Sequence, residues 1–183
     1  MIPISPSVSG VSSAVSGSLT WSKISCMQQH HELKLNGELV GSLRKPSFWS
    51  SEFEAETQSG RWIIRKAGFC GTGAAIVDAA SRQTIATSKS SWGGRGTLTF
   101  ADGQVFEVHC NGWWRPVWSV LTESGQTLLR IYTREKTVDL STGAANGAAI
   151  SNDRLAMLIM FTWYCVLRAE EDASTAVLVA AVS

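Results

Sequence analysis

The residues that most often perform catalysis or bind metal ions are few in this chain, and their spacing favours neither role. His30 and His31 are adjacent on a predicted strand, so their side chains point to opposite faces and cannot readily hold one ion together. His109 and Cys110 are adjacent in the same way. The four cysteines are Cys26, Cys70, Cys110 and Cys165. None forms a C-x-x-C pair and their spacings match no zinc pattern, so we expect free thiols in a reducing compartment, no metal ion and no cofactor.

Two further stretches resemble catalytic motifs only in part. The segment GFCGTG (68–73) is glycine-rich, but it does not fit the phosphate loop G-x-x-x-x-G-K-[ST] and no helix is predicted after it. Its Cys70 would need a base beside it to act as a nucleophile. Glu52, Glu54 and Glu56 share one face of a predicted strand, about 7 Å apart, which is typical of a solvated surface. We therefore expect that the protein is not an enzyme.

Two segments combine basic residues with tryptophan. KSSWGGRG (89–96) is a glycine-rich basic loop, and NGWWRPVW (111–118) joins two predicted strands. Basic groups beside interfacial aromatic rings are what anionic lipid headgroups favour. The candidate headgroup contacts are Lys89, Trp92, Arg95, Trp113, Trp114 and Arg115. The alternative interpretation is that the tryptophans close the ends of the fold while the arginines stack on them.

The composition indicates one globular domain. The chain has 183 residues, of which 44% are hydrophobic and 17% charged, and its formal net charge is +1. A net charge this small provides no long-range field to attract nucleic acid, so we expect no nucleic-acid partner. The eight tryptophans fit a pleated, half-buried sheet, and we expect most of them in the core. Residues 1–17 are rich in Ser and have no basic and apolar leader pattern, which predicts a flexible arm and no secretory signal.

Recurrent turn signals divide the chain into hairpins. The predicted turns lie at Asn36-Gly37, Ser59-Gly60, 78–82, Asp102-Gly103 and Ser124-Gly125. The turns are about 22 residues apart, which is the length of two strands and a connection. Their flanks alternate between apolar and polar residues, as half-buried strands do. With LTWSKIS before the first hairpin and TVDL after the last, we expect about twelve antiparallel strands.

An apolar helix follows the strands. Residues 155–167 contain no charged residue, and Ser151 to Asp153 form a good N-terminal cap for a helix over about 152–170. Thirteen helical residues span roughly 20 Å, less than the roughly 30 Å of a bilayer core, so we expect no transmembrane span. A helix that is apolar on every side must be surrounded by protein. A sheet of twelve strands can close into a barrel whose lumen such a helix fills.

Serial hairpins followed by RLAMLIMFTWYCVLRAEE (154–171) resemble the tubby-like superfamily, which includes the tubby C-terminal domain, the phospholipid scramblases and the LURP-one-related proteins. The resemblance covers residues 18–171 and implies a twelve-stranded barrel around a central C-terminal helix, with 172–183 as a separate tail. Neither an Asp-rich calcium segment nor a Cys-rich palmitoylation run of the scramblase kind is found in the sequence.

The resemblance also implies a function: a cytoplasmic protein that binds membrane phospholipid or phosphoinositide peripherally. Two alternatives stay open. The barrel could be a protein-interaction module with no lipid role, or a small protein or enzyme that holds a hydrophobic ligand in its interior. The predicted central helix argues against the second alternative, because it would occupy that interior.

Overall fold

A computed structural model describes residues 18–25, 29–47, 49–68, 73–91, 94–112, 114–141 and 150–182. Side chains of the C-terminal helix are described as far as Ser174. The predicted arm, residues 1–17, lies outside the described residues, as do Cys26 and Cys70.

The described residues form a closed antiparallel barrel of twelve strands, which confirms the predicted architecture. The strands are β1 (Leu19–Lys23), β2 (His30–Leu35), β3 (Glu38–Arg44), β4 (Glu52–Thr57), β5 (Gly60–Ala67), β6 (Gly73–Asp78), β7 (Thr84–Ser91), β8 (Arg95–Phe100), β9 (Val105–Asn111), β10 (Val117–Thr122), β11 (Thr127–Tyr132) and β12 (Thr137–Leu140). Each strand pairs with its neighbours in sequence, and β1 pairs with β12 to close the barrel through Leu19 opposite Val138 and Thr20 opposite Thr137.

The predicted turns lie at the junctions between consecutive strands. A two-residue connection joins β2 to β3 through Asn36 and Gly37, whose φ angles are 52° and 90°. Two consecutive positive φ angles are the mark of the hairpin turn that matches the twist of its strands, and Asn-Gly is the pair best suited to them. Local sequence thus sets the register of the first hairpin.

The C-terminal helix, α1 (Asn152–Val182), runs through the barrel from one end to the other. At its start the Ser151 hydroxyl accepts a hydrogen bond of 3.3 Å from the Arg154 N–H, and the Arg154 guanidinium lies 2.7 Å from Asp102 in the β8–β9 turn. We call this the entry end of the barrel. At the exit end, where β1–β2, β3–β4, β5–β6, β7–β8, β9–β10 and β11–β12 are connected, Glu171 of α1 pairs with Lys45.

The helix packs against the barrel wall with side chains on all of its faces. From Leu158 to Leu167 every residue except Cys165 is buried. Trp163 stacks on Trp21 of β1, with ring centroids 4.9 Å apart and planes within 8°. Two strands away, Gly41 of β3 faces Met160, and a Cβ at that position would overlap the Met160 methyl group. The absence of a side chain at Gly41 is therefore what allows the helix to approach this strand.

The helix continues past the end that the sequence predicted. The expected helix stopped near residue 170 and 172–183 formed a tail, whereas α1 extends to Val182. The physical reason is that 172–182 contains no Gly or Pro and is rich in Ala, so nothing in the chain ends the helix. Among the described residues, no helix combines the length and apolar character that crossing a membrane requires.

Candidate functional site: a basic pocket at the exit end

A pocket of about 590 Å³ opens between the exit end of α1 and the wall formed by β5–β10. Its existence follows from small residues on the inner wall. Ala74 of β6, Ser88 of β7 and Gly96 of β8 line it, as do Gly73 and Gly94 at the rim. Because none of these residues reaches the helix with a large side chain, the lumen is not filled at this level. We call this space the exit pocket.

The floor of the exit pocket is apolar and uncharged. It is formed by Phe161, Tyr164 and Cys165 of α1, with Val108 of β9 and Trp118 of β10. Burial raises the pKa of Tyr164 to about 12 and the pKa of Cys165 to about 12. Both groups are therefore protonated at neutral pH, and the Cys165 thiol, which is not in a disulfide, is a poor nucleophile.

The mouth of the pocket is cationic. Lys66, Lys89, Arg95 and Arg168 line it, together with Asp172. Lys89 and Arg95 alternate with the inward-facing Ser88 and Gly96, so their side chains lie on the outer side of the rim. Lys66 follows Trp62 and Ile64 at alternate positions of β5, and those two side chains are buried inside the barrel, so Lys66 belongs to the inner face at its rim. Within the described part of the chain, Lys66, Lys89 and Arg95 take part in no ion pair.

Arg168 is held in place by carboxylates on its own helix. Its guanidinium pairs with Glu171 and, at 3.1 Å, with Asp172. Glu171 also accepts hydrogen bonds of 2.9 Å from Lys45 and from Gln29, which lie on the barrel rim. Burial alone would raise the pKa of Glu171, but the hydrogen bond and charge of Lys45 and the charge of Arg168 lower it overall. An ionised Glu171 thus fixes the exit end of α1 against the rim.

The structure brings two of the predicted headgroup contacts together and separates two others. Lys89 and Arg95 both line the exit pocket. Trp114 and Arg115 are exposed in the β9–β10 connection at the same end but are not lining residues of the pocket. Trp92 and Trp113 lie outside the described residues. Trp114 is 77% exposed, so the alternative in which it plugs the barrel end is wrong for this residue.

Sequence reasoning did not select Lys66 or Arg168 as site residues. A signal for each was present. Lys66 lies at the next alternate position after Trp62 and Ile64, so it belongs to the same face of the strand. Arg168 follows Phe161 by seven residues and Tyr164 by four, which places the three on one helix face. Each position could have been assigned to the lumen side of its element, but not to a common pocket.

The predicted acidic face is a surface of ion pairs. Glu52, Glu54 and Glu56 of β4 lie on the outer face, alternating with the buried Phe53 and Ala55. Their partners on neighbouring strands are Arg65 at 3.8 Å, Arg44 at 2.6 Å and Arg61 at 2.6 Å, respectively. Exposed pairs of this kind contribute at most about 1 kcal/mol each. This face therefore holds no pair of unengaged carboxylates for catalysis.

The small net charge conceals an unequal distribution between the two ends. Connections at the exit end contain the basic residues Lys45, Arg115, Arg134 and Lys136 and one acidic residue, Glu135. Connections at the entry end contain the acidic residues Asp102 and Glu123 and one basic residue, Arg82. The helix adds Arg168 at the exit end, along with Glu170, Glu171 and Asp172. The connections thus favour anions at the exit end, although the chain as a whole is nearly neutral.

The exit pocket thus combines an uncharged aromatic floor with a mouth that attracts anions. Comparison of the chain with protein-family models, with curated proteins and with solved structures finds no match.

Proposed function

We propose that the protein binds anionic membrane phospholipid peripherally, with the headgroup phosphate at the mouth of the exit pocket. The observation that carries this proposal is the set of Lys66, Lys89 and Arg95, cations without ion-pair partners in the described chain, above an apolar floor. The resemblance of the hairpins and helix to the tubby-like superfamily supports the same function. We regard the protein as a member of that superfamily under this proposal.

The chemistry of the pocket suits an amphiphile. Phosphate oxygens accept hydrogen bonds from ammonium and guanidinium groups at the mouth. The glycerol and the first acyl carbons then contact Phe161 and Trp118 on the floor. A volume of about 590 Å³ lies within the range of small-molecule sites, roughly 300–1,000 Å³. A larger part of the acyl chains remains in the bilayer, because α1 occupies the rest of the lumen.

The surroundings of the pocket favour a membrane over a dissolved anion. Trp49 in the β3–β4 connection is 90% exposed and Trp114 in the β9–β10 connection is 77% exposed, and both connections lie at the exit end. Tryptophan is enriched where proteins meet the headgroup layer, since its ring is apolar and its N–H is polar. The free thiols of Cys110 and Cys165 are compatible with the expected cytoplasmic location.

The lining supports binding rather than catalysis. Asp172 is the carboxylate among the described lining residues, and Arg168 engages it. Tyr164 and Cys165 are protonated at neutral pH because burial raises the pKa of each. The lining therefore supplies hydrogen-bond donors and apolar surface, without an activated nucleophile beside a base.

Charge reversal at the mouth tests the proposal. We expect Lys66→Glu with Arg95→Glu to weaken binding to vesicles of phosphatidylcholine with phosphatidylserine by about tenfold or more at low salt, since each basic group near an anionic surface contributes about 1 kcal/mol. Vesicle pelleting measures the binding. Arg82→Glu with Arg130→Glu is the matched control, because both arginines are exposed, do not line the exit pocket and give the same change in net charge.

Two outcomes would contradict the proposal. Equal binding by the mouth variant and the control would remove the exit pocket as the site. Failure of the wild-type chain to bind these vesicles at any salt concentration would favour a protein-interaction module instead. Thermal melting of both variants shows that the barrel is still folded.

A further inference from the structure

Four side chains at the exit end form a row of alternating charge. Lys45 on the barrel rim lies 2.9 Å from one carboxylate oxygen of Glu171. The other oxygen of Glu171 pairs with Nη1 of Arg168, and Nη2 of Arg168 lies 3.1 Å from Asp172. The row thus contains two positive and two negative charges, which cancel. We call it the charge row.

The last two members of the charge row reach the exit pocket. Arg168 and Asp172 line the pocket, whereas Lys45 and Glu171 do not. The Arg168 side chain is 20% exposed, so the surrounding protein restricts its position, while the Asp172 side chain is 73% exposed. Both oxygens of Glu171 are engaged, and Asp172 pairs with Arg168 alone in the described part of the chain. Asp172 is therefore the member of the row that a ligand displaces most readily.

A phosphate and the Asp172 carboxylate need the same donor. A guanidinium group presents its N–H donors as a planar fork, which binds phosphate or carboxylate through parallel hydrogen bonds. At Arg168, Glu171 occupies Nη1 and Asp172 occupies Nη2. A phosphate in the exit pocket gains the charge and the Nη2 donor of Arg168 only when the Asp172 carboxylate moves away.

We propose that Asp172 competes with the headgroup phosphate for Arg168 and thereby sets the affinity of the exit pocket. This inference rests on the proposed function, because the ligand is the same anionic headgroup in the same pocket. In the complex, the phosphate accepts a hydrogen bond from Nη2 of Arg168, and the Asp172 carboxylate turns into the water to which it is already largely exposed. Arg168 is then a headgroup contact in addition to the cations at the mouth.

The exposure of Asp172 limits the size of the effect. An ion pair with an exposed partner contributes little, because water solvates the charges and competes with their attraction. Removal of the Asp172 charge should therefore raise the affinity several-fold and not by orders of magnitude. The competition also favours ligands with a full negative charge, since a neutral headgroup does not replace the carboxylate on Arg168.

The test is Asp172→Asn, which keeps the size of the side chain and removes its charge. Vesicles of phosphatidylcholine with phosphatidylglycerol are used at low salt, because the glycerol headgroup has no ammonium group that could pair with Asp172. Glu170→Gln is the matched control: Glu170 is the exposed neighbour of Glu171, does not line the pocket and gives the same change in net charge. In vesicle pelleting, we expect Asp172→Asn to bind about threefold more tightly than Glu170→Gln.

A second pair of variants shows whether the gain passes through Arg168. In an Arg168→Gln background, Asp172→Asn and Glu170→Gln should bind the vesicles equally, because there is no guanidinium group left to release. Glu171 keeps its contact with Lys45 in this background, so the end of α1 stays attached to the rim. Thermal melting of each variant verifies that the barrel is folded.

The outcomes separate this inference from the proposed function. Equal binding by Asp172→Asn and Glu170→Gln, while Lys66→Glu with Arg95→Glu weakens binding, would overturn the competition and leave the headgroup site standing. Weaker binding by Asp172→Asn, or a gain that persists in the Arg168→Gln background, would also overturn it. A gain in calorimetry with dissolved glycerol phosphate, without one on vesicles, would overturn the lipid as the ligand. Absence of vesicle binding by every variant and by the wild type would overturn both proposals.

Discussion

The variant Met160→Asp is expected to lose about 4 kcal/mol or more of unfolding free energy, which is enough to leave much of the chain unfolded. Met160 is 0% exposed in the middle of the buried part of α1, against the space left by Gly41. An aspartate there must either remain charged without water or take up a proton, and both states cost free energy. Residues 155–167 contain no Lys or Arg that could pair with the buried aspartate.

Urea denaturation followed by tryptophan fluorescence measures the change. Met160→Leu is the control, because it conserves volume and apolar character and should cost less than about 1.5 kcal/mol. A Met160→Asp chain that unfolds within 1 kcal/mol of the control would contradict a helix buried on all faces.

The second large effect is a loss of stability as the pH falls from about 6.5 to about 4. Burial, with the charges of Lys23, Lys136 and His30, lowers the pKa of His31 from 6.5 to about 4 in the folded chain. The unfolded chain therefore binds a proton in this range that the folded chain does not, so unfolding becomes more favourable as the pH falls. The full contribution is present above pH 6.5, and about 3 kcal/mol is lost by pH 4.

His31→Phe isolates this contribution. The His31 ring is buried and meets the Trp163 ring edge-on, with centroids 5.8 Å apart, so a phenyl ring can keep that contact without titrating. We expect the unfolding free energy of the variant to change by about 3 kcal/mol less than that of the wild type between pH 7 and pH 4. Parallel pH profiles for the two chains would show that His31 is not the group that titrates.

Much of the fold could be predicted because its signals are local. Alternation along strands such as Phe106, Glu107 and Val108 and turn pairs such as Asn36-Gly37 act over a few residues, so twelve strands could be expected in order. The N-terminus of α1 had a cap at Ser151. Its C-terminus had no such signal, and the predicted end near 170 followed from the extent of the resemblance to the tubby-like superfamily, which ends at residue 171.

The site was harder to predict because it depends on the closure of the barrel around α1. Lys89 and Arg95 are near each other in sequence, so they could be proposed together. Lys66 and Arg168 are about one hundred residues apart, and they meet only because α1 passes through the lumen in the direction that puts its end beside β5. The residues that flank Lys66 and Arg168 in the sequence do not predict that the two lie at one pocket. The cavity itself arises from the small residues Ala74, Ser88 and Gly96. In the sequence these residues indicate only a low strand propensity.

The order of elements along the chain has a consequence for synthesis. All strand pairings but one join neighbours in sequence, and the exception, β1 with β12, has only two register pairs. The helix that covers the inner face follows every strand. During translation the sheet can therefore form early, but its apolar concave face stays exposed until α1 has left the ribosome. The nascent chain should be most prone to aggregate just before that moment, and the weak seam between β1 and β12 is the place where an open sheet can close around the arriving helix.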